Sequence, residues 1–152
     1  MQLHRYSMII ARIMVAMVFL LNAIGVIDQT QAARELAERG APANLVPYLM
    51  LVGRSVELLG GLALILGIFP RVAALALFAF LVPATLVGHA FWLAADTPVF
   101  VGQLINFLKN VAMMGGLLFI SSIPDQPGVM RGIHDPLKSK VSAPSGRHEA
   151  HV

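Results

Sequence analysis

Apolar residues along this chain neither alternate nor recur as short stripes. They run on in four long blocks, residues 6–27, 45–69, 71–93 and 101–123. Each block holds about 20 residues or more, the length at which an α-helix crosses roughly 30 Å of hydrocarbon. A backbone in lipid must satisfy its own hydrogen bonds, so the blocks are expected to be helices. The pattern predicts an all-α fold, a four-helix transmembrane bundle over residues 1–123, followed by a tail over 124–152. The polar residues left inside the blocks are chiefly Arg12, Arg54, Glu57, His89, Asn106, Lys109 and Asn110. Such groups are costly in a membrane, and function is to be sought among them.

The connections differ in kind. Ile68, Phe69, Pro70 and Arg71 read as a tight turn, making the second and third blocks antiparallel neighbours. Residues 29–39 read as a short polar helix at the outer surface, capped by Gly40. Gly53, Gly60, Gly61, Gly67, Gly115 and Gly116 are expected at close helix contacts. Pro83 is expected to kink the third block. Residues 124–152, rich in Pro, Ser, Gly and charge, read as a largely disordered cytoplasmic extension.

Composition narrows the picture. Hydrophobic residues make up 57% and charged residues 12%, against about a quarter charged in a soluble domain. The net charge of +3 is spread over loops and chain ends, with no basic face, so nucleic acid is not an expected partner. Arg5, Arg71, Arg131, Lys138, Lys140 and Arg147 fall on one side of the predicted membrane. Arg34 and Arg39, offset by Asp28, Glu35 and Glu38, fall on the other with Asp96. The excess of positive charge predicts that both termini are cytoplasmic. The basic residues of the tail either touch membrane lipid or only set this topology. The first block is read as a retained span, being too long for a cleaved signal. Cysteine is absent, which excludes disulfides and cysteine-ligated clusters within the chain.

Helix geometry then places the polar groups. Arg54 and Glu57, three apart, share a face, with Glu57 close to the midplane. Asn106 is in register with Lys109 and Asn110, and His89 stands one turn above Thr85. Asn22 lies in the outer half of the first block. The helix directions bring these groups to similar depths, which predicts a convergent polar pocket in the outer half. A charge facing lipid at mid-depth costs at least ~2.5–3.5 kcal/mol, so the expected arrangement has Glu57 bridging Arg54 and Lys109. Arg12, nearer the cytoplasmic end, is expected to snorkel to the headgroups. The same residues also admit a purely structural role: ion pairs and Asn contacts fix helix register, and His89 beside Phe91 and Trp92 suits an interfacial aromatic belt.

Only His89 of the five histidines lies inside a block, so the chain alone cannot hold a bis-histidine haem. No nucleotide-binding, hydrolase or zinc-protease motif is present. An apolar bundle with a protonatable pocket suits a lipophile with carbonyl or hydroxyl ends, of which a quinone is one. Glu57 would be its proton carrier and His89, Lys109 or Asn110 its donors. The candidate ligand-binding set is Arg54, Glu57, His89, Asn106, Lys109 and Asn110.

At these residues the chain resembles the DoxX family of small bacterial four-helix membrane proteins. Glu57 with Gly60 and Gly61, His89 in LVGHAFW, and Phe107-Leu108-Lys109-Asn110 with Gly115 and Gly116 carry the resemblance, together with Arg12 and Phe19 in the first block. It extends over residues 7–123. Many members place a lysine after the first span, where this chain has Val26 and Ile27. The resemblance implies a bacterial inner-membrane protein associated with quinone-linked oxidoreductase, terminal-oxidase or oxidative-stress systems. Three functions follow as expectations: a quinone- or lipophile-binding subunit that works with redox-enzyme subunits, a non-catalytic scaffold of a membrane complex, or a proton- or solute-conducting homo-oligomer. Catalysis by the chain alone is not expected, since it supplies no redox-active group.

Overall fold

The computed structural model describes residues 2–27 and 29–123, the first few as backbone only. The expected disordered tail, 124–152, lies outside the described residues. The elements are α1 (Gln2–Ala23), α2 (Thr30–Glu38), α3 (Val46–Leu66), α4 (Pro70–Gly88) and α5 (Phe100–Ser122), with a single 3₁₀ turn at Phe91–Leu93. Among the described residues all regular structure is helical, and α1, α3, α4 and α5 are each long and apolar enough to cross a membrane.

The chain stops these helices by one repeated device. Gly25, Gly40 and Gly67 take φ values of 82°, 88° and 69° after α1, α2 and α3. The next amide in each case reaches back five residues: Val26 to the Leu21 carbonyl, Ala41 to Leu36 and Ile68 to Ala63, at 3.0, 3.0 and 2.9 Å. A left-handed residue at this point satisfies carbonyls that the helix end would strand, and glycine adopts it without a Cβ penalty. Gly40 therefore caps α2 as expected, whereas Gly67, expected at a helix contact, is a stop signal. Pro70 then occupies the first turn of α4, where a missing N–H costs nothing. At this end Arg71 Nε donates to the Ser121 carbonyl at 2.9 Å, tying the start of α4 to the last turn of α5.

α1 packs along α3, α3 along α4 and α4 along α5, while α1 and α5 touch only sparsely. Small residues set the spacing. A Cβ on Gly60 would lie 2.7 Å from Leu77 Cγ, and one on Gly61 would lie 2.9 Å from Leu20 Cγ. Gly53 lies under the Phe80 ring and Gly116 opposite Val15, but Gly115 faces open space. Helices in lipid gain little from hydrophobic exclusion, so close approach of this kind supplies their van der Waals contact. The shared core holds Ala16, Phe19, Leu64, Ala74, Leu77, Leu81, Leu117 and Ile120. Large apolar side chains such as Leu59, Phe69 and Phe119 point outward, as a lipid-facing surface requires. Pro83 lies within α4, which runs on to Gly88, and is exposed.

Arg12 departs from expectation. It is 1% exposed and buried within the bundle rather than snorkelling. The reason is its register: Ala16 and Phe19 follow it at i+4 and i+7, and that stripe is the core-facing side of α1.

Candidate functional site

α2 packs against α3 and α4 at the end of the bundle where α1 stops and α3 begins. The polar interior lies beneath it, at this α2 end of the bundle. Glu57 is the anchor. It is the twelfth residue of α3, roughly 16 Å along the helix, and it is 4% exposed. Its Oε1 accepts a hydrogen bond from Asn22 Nδ2 at 2.6 Å, joining α3 to the last turn of α1. Gly60, Gly61 and Leu64 share its face, so the helix contacts that bury them bury Glu57 as well.

The expected bridge from Glu57 to Arg54 and Lys109 does not form. Arg54 Nε donates instead to Gln29 Oε1 at 2.9 Å, and Gln29 Nε2 donates to the Asn22 carbonyl at 3.1 Å. No ion pair joins Arg54 to Glu57. Among the described residues the one ion pair is Arg39 with Glu35, one turn apart on the surface. The physical reason is the side of α3 that each residue occupies. Glu57 shares the core-facing stripe, whereas Arg54, three residues earlier, is exposed and turns to the loop that enters α2.

A second chain of bonds holds the other side of α2. Gln103 Nε2 donates to Glu35 Oε1 at 3.4 Å, which turns the amide oxygen of Gln103 towards His89. His89 Nδ1 lies 3.1 Å from that oxygen and so donates to it. Gln31 holds the same Glu35 oxygen at 3.0 Å. His89 itself is the C-cap of α4. The residues after it form an aromatic cluster: Phe91 stands edge-on to Trp92, Phe100 and Phe107 at centroid distances of 5.2, 6.1 and 5.2 Å. α2 is thus latched on two sides, through Gln29 to α1 and α3, and through Glu35 to α5 and the end of α4.

Asn110 and Thr85 meet deeper in the bundle. Asn110 Nδ2 donates to Thr85 Oγ1 at 3.0 Å, and Thr85 returns its proton to the Leu81 carbonyl at 2.6 Å. Asn106, one turn from Asn110, is half-buried, and Lys109 is exposed. Among the described residues neither Asn106 nor Lys109 makes a side-chain hydrogen bond or ion pair, and no three His, Asp or Glu side chains are placed to hold a metal ion. The position of Lys109 follows from the α1–α5 contact. Val15 faces Gly116 there, and the helices run antiparallel. Seven residues on from Val15 is Asn22, and seven back from Gly116 is Lys109. The two therefore stand level, on facing sides of α1 and α5, roughly 10 Å beyond the packed point.

The structure therefore brings Glu57 and Asn22 together and joins Asn110 to Thr85. It commits Arg54 and His89 to the α2 latch. Gln29, Glu35 and Gln103 were not among the site residues expected from sequence. Gln103 did carry a signal, since it extends the Asn106–Asn110 stripe by one turn, but Gln29 depends on the chain reversal at Gly25.

Fold and site together define a small helical membrane protein of four apolar helices with a polar interior at one end. A family model described as DoxX matches residues 7–90, and the chain belongs to that family. The matched residues include α1 from Ser7 onward and α2 to α4 with Glu57 and His89, and they end before α5, which carries Asn106, Lys109 and Asn110. No curated protein and no solved structure matches the chain.

Proposed function

We propose that this protein binds a lipophilic molecule with carbonyl or hydroxyl ends, of the quinone class, at the α2 end of its bundle, as a subunit of a bacterial inner-membrane redox system. One observation carries the reading. Glu57 is buried yet paired with a neutral amide, not a cation, while Lys109 and Asn106 stand near its depth with their hydrogen-bonding capacity unused. Ionisable residues within membrane spans usually pair with one another, and Glu57 and Lys109 do not. A carboxyl group, an ammonium and amides within an apolar bundle suit an oxygen-bearing head on a hydrocarbon body. In this reading Glu57 exchanges a proton with the ligand head, and Lys109, Asn106 and Asn110 donate hydrogen bonds. Arg54 and His89 act at one remove by holding α2.

A structural reading has its own support: the Asn22–Glu57 and Asn110–Thr85 bonds each join neighbouring helices. Under it the protein is a scaffold for redox-enzyme subunits.

Mass spectrometry of lipophiles retained by gently purified protein separates the two. The expected result is a stoichiometric quinone in the unsubstituted protein and its loss in Glu57→Gln of matched folding. Retention of partner subunits without any specific lipophile, unaffected by Glu57→Gln, would establish the scaffold instead.

A further inference from the structure

We infer that the ligand reaches Glu57 sideways from the bilayer, through the seam between α1 and α5, while α2 closes the route from the aqueous face. The inference rests on the function proposed above and adds its route.

Three observations converge on it. α1 and α5 meet sparsely, whereas every other neighbouring pair of long helices packs along its length. The contact they do make, Val15 against Gly116 with Leu117 and Ile120 buried nearby, lies away from the α2 end. Beyond it the facing positions are Asn22 and Lys109, and Lys109 is exposed. A lysine on a lipid-facing seam is costly unless it meets an oxygen-bearing group, so the seam is built for a polar head and not for packing. Asn22 stands on one lip and also holds Glu57, so the seam leads directly to the buried carboxylate.

The aqueous face is closed by contrast. Gln29 fastens the start of α2 to Arg54 and to the Asn22 carbonyl. Glu35 fastens its body to Gln103 and through it to His89. A lipophile dissolved in the membrane has no need of that entrance, and an open one would admit water to a site whose electrostatics depend on excluding it.

The absence of cysteine makes the test direct. One double variant, Val18→Cys with Ala112→Cys, flanks the seam one turn beyond Val15 and Gly116; both native residues are exposed. A short bis-maleimide ties them. A second, Glu35→Cys with Gln103→Cys, is tied by the same reagent in place of the latch. Trp92 is the sole tryptophan and lies 6.0 Å from the Phe107 ring of α5, so its quenching reports quinone binding. Reconstituted protein is mixed with vesicles carrying a short-chain ubiquinone, and the quenching rate is followed. Tying the seam is expected to slow quenching about tenfold or more, while tying the latch leaves it unchanged. The seam variant labelled with a monofunctional maleimide should behave as the untied protein, which separates closure from damage. Unchanged quenching with the seam tied, or slowing with the latch locked, overturns the route while the binding site stands. Absence of saturable quenching in the unsubstituted protein overturns the site and the route together.

Discussion

Asn22 Nδ2 donates to Glu57 Oε1 at 2.6 Å, across the interface of α1 and α3. One neutral amide thus holds the most buried acid of the bundle at the point where α1 ends. A carboxylate in that position has both oxygens to satisfy, and Asn22 satisfies one of them.

Removing the amide should therefore destabilise. Asn22→Leu leaves a buried acceptor unmade, at a cost of about 1–3 kcal/mol. Unfolding in mixed micelles should give that loss for Asn22→Leu alone and a smaller one when Glu57→Leu, which has no acceptor, is already present. Equal losses in the two backgrounds would mean that the bond contributes nothing to folding.

The glycines of α3 make a sharper geometric test. Gly60→Ala and Gly61→Ala place a methyl within 3 Å of Leu77 and Leu20, and each should cost about 1–3 kcal/mol through overpacking. Leu77→Ala should cost less in the Gly60→Ala background than alone. Gly115→Ala, facing open space, should be neutral or stabilise by about 0.5–1 kcal/mol, since alanine loses less backbone entropy in a helix. Thermal unfolding of the four variants ranks them.

The latch should be separable from the bundle. Gln29→Leu removes the side chain that links Arg54 to the Asn22 carbonyl. Amide exchange should quicken in α2 and stay slow in the core of α3, because a lid opens at a lower free energy than the helices beneath it. Uniform quickening across the chain would show instead that α2 is part of one cooperative unit.

Lys109 should show function opposed to stability. With no partner among the described residues, Lys109→Met loses no contact and sheds an insertion cost of about 2.5–3.5 kcal/mol, less whatever snorkelling recovers. Folding yield should hold or rise while quinone quenching of Trp92 weakens. A fall in stability with binding intact would place Lys109 in the framework rather than the site.

Much of the fold was legible in the sequence. Length and apolarity alone specify α1, α3, α4 and α5, because lipid leaves a backbone of such composition no other way to satisfy its hydrogen bonds. The Gly40 stop and the Pro70 turn were readable for the same local reason: they concern the chain's own backbone a few residues away. Glu57 stood out by its cost in the membrane, and it is buried.

Its partners were not legible. Charge alone favours Arg54 and Lys109, yet pairing depends on which side of each helix faces which neighbour, and that is set by long-range packing. Gly61 against Leu20 brings α1 to α3 and presents Asn22 to Glu57. The reversal at Gly25 returns Gln29 to claim Arg54. The core-facing stripe of α1 draws Arg12 inward, where its nearness to the chain end suggested the headgroups. Sequence by itself determined that there are four apolar helices and which polar residues they carry, because hydrogen bonding in lipid is a local demand. Only the tertiary structure decided how those residues pair and which helices meet sparsely, because helix rotation and the α1–α5 contact arise from packing between segments far apart in the chain.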